Sequence, residues 1–270
     1  MSWSRRRGPS TPEPVEVISS PRNRRVVGTV RLHRKRGRDA TGTGLLEGPK
    51  LLAEAAAGGA VIRSVFGLDT DTTSRRLAAE AGAEWLPVTE AVLRRMATTG
   101  EPQSPVAVFE IPAAVVPGDG HLLAAWGIAD PGNAGTLIRI AAAFGMAFVA
   151  GPGTADPWSP KVLRSAAGGH WETTVWTAAH LSDLRGSGRV LAATVVSGGE
   201  APQAIHDHPE VCLLIGGEAA GLPSEIVEAA DLQITIPMPG GTESLNAAMA
   251  GAILAYEAVS RPTGTRISGD

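Results

Sequence analysis

Five polar side chains fall in three glycine-rich stretches that each follow an apolar run. The first, Asp130-Pro131-Gly132-Asn133-Ala134-Gly135-Thr136, leads into Leu137-Ile138-Arg139-Ile140. The second is Gly216-Gly217-Glu218-Ala219-Ala220-Gly221-Leu222-Pro223, and the third runs from Pro237 through Gly241 to Ser244, Leu245 and Asn246. Ser244 and Asn246 are the polar groups at the start of an otherwise apolar segment, so they point at whatever fills their loop. Arg139 falls off the apolar stripe of its own helix, with room to reach over the strand ends. Polar groups on such loops orient a ligand and handle its charge and protons. None of the three loops is a P-loop, and none fits the G-x-G-x-x-G pattern, because position 218 is Glu. A dinucleotide site is therefore poorly supported.

The elements that must hold these groups alternate. Gln233 to Ile236 reads as the end of a strand, and the two prolines and two glycines of 237–241 continue neither strand nor helix. Thr242 or Ser244 is expected to cap a helix with Glu243 in its first turn. That helix should run about 15 residues from Leu245. Leu245, Met249, Ala252, Ile253 and Tyr256 share one face; Ala247, Ala250, Gly251 and Leu254 share the other. The small-residue face suits close approach of a second helix across a dimer, or packing on its own sheet. In the first loop Asn133 is expected to cap a helix with Leu137, Ile138, Ala141 and Phe144 as its buried stripe. Gly145 sits where a left-handed residue ends such a helix. Around these motifs the strand and helix signals at 43–111 imply a small α/β unit on its own sheet, followed by a Pro/Gly-rich linker at 112–120. The alternation then restarts, with strands expected at 121–129, 146–150, 172–176, 190–196, 211–215 and 232–236. This reads as a parallel sheet flanked by helices, with sites beyond the carboxyl ends of its strands.

Composition narrows the class. A chain of 270 residues, 43% hydrophobic and 19% charged, is one large domain or two small ones. The single cysteine, Cys212, lies in an apolar run and reads as a small buried hydrophobe; His170, His206 and His208 lack metal spacing and read as loop histidines. No metal is expected. No run of 18 apolar residues occurs and the charged N-terminus has no apolar core, so no membrane association and a cytoplasmic location are expected. Charge is unevenly spread. Residues 1–38 hold 11 of the 24 Lys and Arg against two acids, Glu13 and Glu16, whereas the other 232 residues hold 13 basic and 25 acidic groups. The basic arm reads as a solvated tail or as a footprint for a polyanion. Within it, Arg24 to Arg38 is expected to be one helix with Val27, Val30 and Leu32 beneath a basic face. Trp158, Trp171 and Trp176 read as core or interface residues; Lys161 and Arg164, one turn apart, read as a solvated face or as phosphate contacts.

Taken in order, DPGNAGTLIRIAAAFG (130–145), LLIGGEAAGLP (213–223) and ITIPMPGGTESLNAAMAGAILAYE (234–257) resemble the SpoU-type RNA 2′-O-ribose methyltransferases of the SPOUT superfamily. DPWSPKVLRSAAGG (156–169) and LLEGPKL (45–51) also look like that family. Residues 1–20, with Arg5-Arg6-Arg7 and three prolines, are expected to be a disordered basic tail; the resemblance implies a trefoil-knotted α/β fold, a parallel-sheet methyltransferase domain (120–262) and a smaller N-terminal RNA substrate-binding domain (21–112). It implies S-adenosylmethionine bound in the knot, a homodimer through the methyltransferase domain, and RNA as partner. Carried over by motif, Asn133, Arg139, Glu218, Ser244 and Asn246 are the catalytic candidates. Thr194, Val195, Gly216, Gly217, Ile236, Met238 and Leu245 are the cofactor-binding candidates. Arg24, Arg25, Arg31, Arg34, Lys35, Arg36, Lys161 and Arg164 are the RNA-binding candidates. Two positions depart from the pattern: Gly217 stands where the family usually has Asn, and Arg139-Ile140-Ala141-Ala142-Ala143 replaces the usual Arg-Thr-Ala-Asp-Ala.

The implied reaction is displacement at a sulfonium methyl by a ribose 2′-hydroxyl, to which the protein contributes orientation and proton removal. A guanidinium holds its proton too tightly to be a good base. Arg139 is better cast as stabilising the developing alkoxide and gripping an adjacent phosphate, with the proton leaving through Glu218, Ser244 or water. Asn133 and Asn246 would fix loop geometry. Ribosomal RNA is favoured over tRNA, because a separate N-terminal domain with a basic arm suits a large folded RNA. A knotted RNA-binding protein without catalysis is the reading from another class, and a nucleotide-dependent oxidoreductase is disfavoured by the missing glycine fingerprint.

Overall fold

Alternating patterns in the sequence become two sheets. The computed structural model describes residues 16–177, 180–218 and 220–260. The first sheet comprises β1 (Thr43–Glu47), β2 (Ile62–Leu68), β3 (Glu84–Val88) and β4 (Val106–Glu110), in the order β1-β4-β2-β3. β4 is antiparallel to both neighbours and β2 runs parallel to β3. Ile18 bridges Val88 at this sheet's edge, so ordered chain begins ahead of residue 20; positions 1–15 of the expected tail lie outside the described residues.

The basic segment folds as two helices rather than one, α1 (Arg24–Arg31) and α2 (Lys35–Thr41). Its buried residues are Val26, Thr29, Leu32 and Arg38, whereas Val27 is 39% exposed. Leu32 and Val30 pack where the sequence placed them, and Val26 rather than Val27 is the buried residue of the first turn. Helices α3 (Pro49–Ala57), α4 (Thr72–Glu80) and α5 (Glu90–Met96) complete this half.

The second sheet is parallel throughout: β5 (Leu122–Trp126), β6 (Ala147–Ala150), β7 (Val175–Thr177), β8 (Val190–Thr194), β9 (Val211–Gly216) and β10 (Leu232–Ile234), ordered β10-β8-β9-β5-β6-β7. Strands buried on both faces read as apolar runs, as Val211-Cys212-Leu213-Leu214-Ile215 does. α6 (Pro131–Ala143) and α10 (Ala247–Val259) cover one face with Leu137, Ile138, Ala141, Leu254 and Ala255. α8 (Leu181–Arg185) and α9 (Ser224–Ala229) cover the other through Leu184 and Ile226. From β5 the chain winds outward to β7, then crosses to the other half. The reversal between β5 and β9 is where a crevice opens in such sheets.

α10 packs opposite to its larger side chains. Ala247, Ala248, Gly251, Leu254 and Ala255 face the sheet, and a Cβ on Gly251 would stand 2.4 Å from Leu137 Cδ2. The small-residue face is thus taken by its own domain, and Met249 (63% exposed), Ile253 and Tyr256 are left at the surface. α7 (Pro160–Ala166) crosses α6 at Gly135, where a Cβ would meet Val162 O at 2.6 Å.

The two halves meet along 156–171. Leu163 lies in the same apolar cluster as Leu46, Leu51 and Phe109, and Trp158 and Trp171 pack on it, as core-or-interface tryptophans should. Trp176 is buried in the second sheet's core. Arg38 of α2 is 3% exposed; its guanidinium donates to Leu32 O (2.7 Å), His33 O (3.2 Å) and the Asp156 carboxylate. Arg164 donates to Thr98 Oγ1 at 2.6 Å, and Thr98 in turn bonds the buried carboxylate of Glu47. Burial opposes ionisation of Glu47, but donors from Thr98, Thr99 and Gln103 outweigh it and hold its pKa below the ordinary value. His170, expected in a loop, is buried on a short 3₁₀ turn with Nε2 donating to Pro157 O at 2.8 Å, and burial pushes its pKa down to about 4. Cys212 is buried, which pushes its thiol up to about 12.

Candidate active site

Three loops, after the neighbouring strands β5 and β9 and after β10 on the far side of β8, meet at one end of the sheet. After β5 the chain passes Gly127 to Asp130, whose Oδ1 accepts from the Asn133 backbone N–H at 2.9 Å. Asp130 is therefore the cap of α6 and Pro131 its first residue, where no N–H is required. The Asp-Pro pair carried that signal in the sequence, and it displaces the expected cap, Asn133, into the first turn. The Asn133 side chain is thereby released for the site.

A second cap is also displaced. Asn246 Oδ1 accepts from the N–H groups of Ala248 (2.9 Å) and Met249 (3.2 Å), so α10 starts at Ala247 rather than after Thr242 or Ser244, and Glu243 lies ahead of its first turn. These bonds fix which way the Asn246 amide faces: its oxygen is occupied by backbone donors, so its Nδ2 is the donor outward. It donates to Asn133 Oδ1 at 3.1 Å, which leaves Asn133 Nδ2 to donate to Glu218 Oε1. The polarity of the whole chain, Asn246 to Asn133 to Glu218, follows from one helix terminus and ends on an acceptor.

Beside this chain lies a cavity of about 420 Å³. Thr194 and Val195 at the end of β8, Gly216 and Gly217 at the end of β9, and Ile236, Met238, Ser244 and Leu245 after β10 line it, with the carboxylates of Glu218 and Glu243. Thr194 is fixed by donating to Leu214 O at 2.9 Å, and Val195 N–H bonds Ile234 O at 2.9 Å. The walls thus combine backbone groups and apolar side chains with acidic groups. That combination fits an organic ligand with an apolar body and a cationic centre. The loop after β9 is closed by Gly221 N–H to Gly217 O at 2.9 Å. A Cβ on Gly217 would stand 2.4 Å from Gly127 O, so the carbonyl of one loop occupies the space a side chain in the other would need.

Arg139 is not part of this assembly. It lies six residues beyond Asn133, about 9 Å along α6 by helical rise. Its side chain is exposed and its backbone abuts Gly169; no hydrogen bond or ion pair among the described residues holds its guanidinium. Ser244 is exposed at the cavity rim. The RNA-binding candidates divide. Arg25 pairs with Glu84 at 2.5 Å, Lys35 with Asp39 at 2.9 Å, and Arg164 is committed to Thr98. Arg24, Arg31, Arg34, Arg36 and Lys161 are exposed. Sequence reasoning missed Gly127 at the site, the capping role of Asp130, and Glu47, Arg38 and Asp156 at the seam between the two halves. Among the described residues no three His, Cys, Asp or Glu side chains group as a metal site would require, and no helix is long and apolar enough to cross a membrane.

Residues 120–256 match the model of the SpoU rRNA methylase family, and residues 23–107 that of the MRM3-like substrate binding domain. The chain is 33% identical over 246 residues to the 23S rRNA (guanosine(2553)-2′-O)-methyltransferase RlmP of Bacillus subtilis, covering 90% of this chain and 98% of that protein. An AdoMet-bound rRNA methyltransferase from Sinorhizobium meliloti superposes with a TM-score of 0.80 at 30% identity, over 90% of this chain and 97% of the other. The SpoU methyltransferase AviRb from Streptomyces viridochromogenes, in complex with AdoMet, gives 0.78 at 27% identity, over 88% and 97%.

Proposed function

This chain belongs to the SpoU rRNA methylase family, and from that premise we propose that it methylates a ribose 2′-hydroxyl in structured RNA, 23S rRNA before tRNA, with S-adenosylmethionine. The observation that carries the reading is the meeting of Asn133, Glu218 and Asn246 from three loops beside one cavity. Thr194, Val195, Gly216, Gly217, Ile236, Met238 and Leu245 would hold the cofactor; Glu218 and Glu243 put negative charge at its rim. When bound, S-adenosylmethionine supplies an electrophilic methyl group on a cationic sulfur.

The chain's own groups do the rest. Asn133 fixes one oxygen of Glu218 and leaves the other for the substrate side. Glu218 or Ser244 takes the hydroxyl proton toward solvent. Arg139 grips phosphate and stabilises the alkoxide, because a guanidinium is a poor base. We read residues 21–112 as the RNA-binding domain and 120–262 as the methyltransferase domain, knotted as the family resemblance implies. A homodimer is part of the same reading. The exposed stripe Met249, Ile253 and Tyr256 on α10, with Tyr256 against Phe144, is apolar surface of the kind a second copy would cover. Tyr256→Arg should shift the protein toward monomer in light scattering; an unchanged mass would move the interface elsewhere.

The deciding experiment is transfer of tritium from labelled S-adenosylmethionine into total rRNA and total tRNA separately, with Arg139→Ala as control. Label retained as a 2′-O-methylnucleoside in one pool and lost in the control names the substrate class. No label in either pool, despite cofactor binding, would favour a non-catalytic RNA-binding protein.

A further inference from the structure

We propose that the cleft between α1, α2 and α5 seats one unpaired nucleotide of the substrate RNA, an inference that rests on the RNA-modifying reading above. The cleft has a volume of about 620 Å³ and lies in the N-terminal half, apart from the candidate active site. Arg31 ends α1, Arg34 and Arg36 flank the start of α2, and Arg95 comes from α5; all four line the cleft. No carboxylate is among its lining residues. Several other cations of this half are matched by acids: Arg25 with Glu84, Lys35 with Asp39, Arg63 with Glu110, Arg94 with Glu90. Among the described residues, nothing bonds the guanidinium groups of Arg31, Arg34, Arg36 or Arg95. Four like charges around one concavity repel one another, and a bound polyanion relieves that repulsion.

The floor decides which anion. Val27 and Val30 line the same cleft, and Val27 is 39% exposed while Val26 beside it is buried. A free phosphate has no use for an apolar floor, and a duplex keeps its base faces stacked inside. An unpaired nucleotide offers both a phosphate for the arginine forks and a base face for the valines and a guanidinium plane. Arg95 is thereby added to the RNA-binding residues, while Arg25 and Lys35, held by their acids, stand outside the cleft.

The test is fluorescence-anisotropy titration of the full chain with two probes at several salt concentrations: a labelled RNA hairpin with an unpaired loop, and the blunt duplex of the same stem. Wild type should prefer the hairpin. Arg34→Gln with Arg36→Gln should weaken hairpin binding roughly tenfold and reduce the slope of log K against log salt by about 1–2. Arg95→Gln, on a different helix, should act in the same direction. Val27→Gln should erode the preference for hairpin over duplex and leave the salt slope alone. Equal affinity of wild type for both probes, or wild-type affinity and slope in the arginine variants, overturns the proposal. Methyl transfer separates this from the parent reading. Labelling of rRNA with an unchanged KM in the double variant overturns the cleft and leaves the enzyme standing. Hairpin binding that depends on the cleft in a protein that transfers no methyl supports the cleft and overturns the enzyme.

Discussion

At the scale of single residues, the site is a sequence of forced choices. Asn246 must turn its oxygen to the first turn of α10, so its nitrogen meets Asn133, and the nitrogen of Asn133 meets Glu218. Arg139 stands apart, exposed, which suits a group that meets the RNA rather than the cofactor. Arg139→Lys keeps the charge and loses the two-pronged geometry, so kcat should fall roughly 10- to 100-fold, about the worth of a charge-assisted hydrogen bond. Turnover near that of wild type would refute the positioning role. Gly217 makes the opposite point. The family's usual Asn cannot be accommodated here, because its Cβ would lie 2.4 Å from Gly127 O. Gly217→Asn should destabilise the protein by about 1–3 kcal/mol, as overpacking does, and weaken cofactor binding measured by calorimetry. A variant that binds as tightly as wild type would show that the loop after β5 yields.

At the scale of elements, the turn at 169–171 that backs α6 depends on protonation state. His170 is buried between Trp158 and Trp171 with a pKa pushed down to about 4, against an ordinary value near 6.5. The folded state therefore binds fewer protons than the unfolded chain between those values. Its contribution is fully present above pH 6.5 and is lost as pH falls toward 4, a change of up to about 3 kcal/mol. His121, whose pKa burial also lowers, slopes the same way, so the comparison must be with a variant. His170→Phe should be less stable at pH 7 but show a visibly flatter fall in urea midpoint from pH 6.5 to 5, above the range where Glu47 and Asp71 titrate. Parallel curves for the two proteins would remove His170 as the cause. Elements were largely legible in the sequence because period and punctuation agree: every strand expected in 43–111 and 121–236 has its counterpart within a few residues. What failed were phase and caps. The Asp130-Pro131 signal lost to the more conspicuous Asn133, Ser244 hid Asn246, and on α1 Val26 took the buried place expected of Val27. On α10 the sequence left two places for the small-residue face, a second helix across a dimer or its own sheet. Only the three-dimensional closeness of Leu137 decides that the small face goes inward.

At the scale of the whole molecule, α2 connects the two halves. Its inner side carries Arg38, buried and bonded to Asp156 in the loop before α7, and its start carries Arg34 and Arg36 at the cleft. Nothing in the sequence marked Arg38 or Asp156 as a pair 118 residues apart, since one sat in a basic run and the other in a loop motif. The pair is a constraint on geometry more than a source of stability, because desolvating both ions offsets most of their attraction. Breaking it is another matter: Asp156→Ala leaves a guanidinium buried with two carbonyl acceptors and no counter-charge, which should cost about 3–5 kcal/mol. Arg38→Met with Asp156→Leu removes both charges and should recover at least half of that loss in urea unfolding. The functional consequence differs from the stability one. If α2 sets the distance between the RNA cleft and the cavity at β8, β9 and β10, loosening it should raise KM for RNA severalfold and leave the affinity for S-adenosylmethionine unchanged. The double variant should regain stability without regaining KM, because apolar packing restores the seam but not the fixed direction of a charge pair. Recovery of both together would reduce Arg38 and Asp156 to ordinary packing, and loss of cofactor affinity in Asp156→Ala would show that the two halves share one site rather than meeting at a hinge.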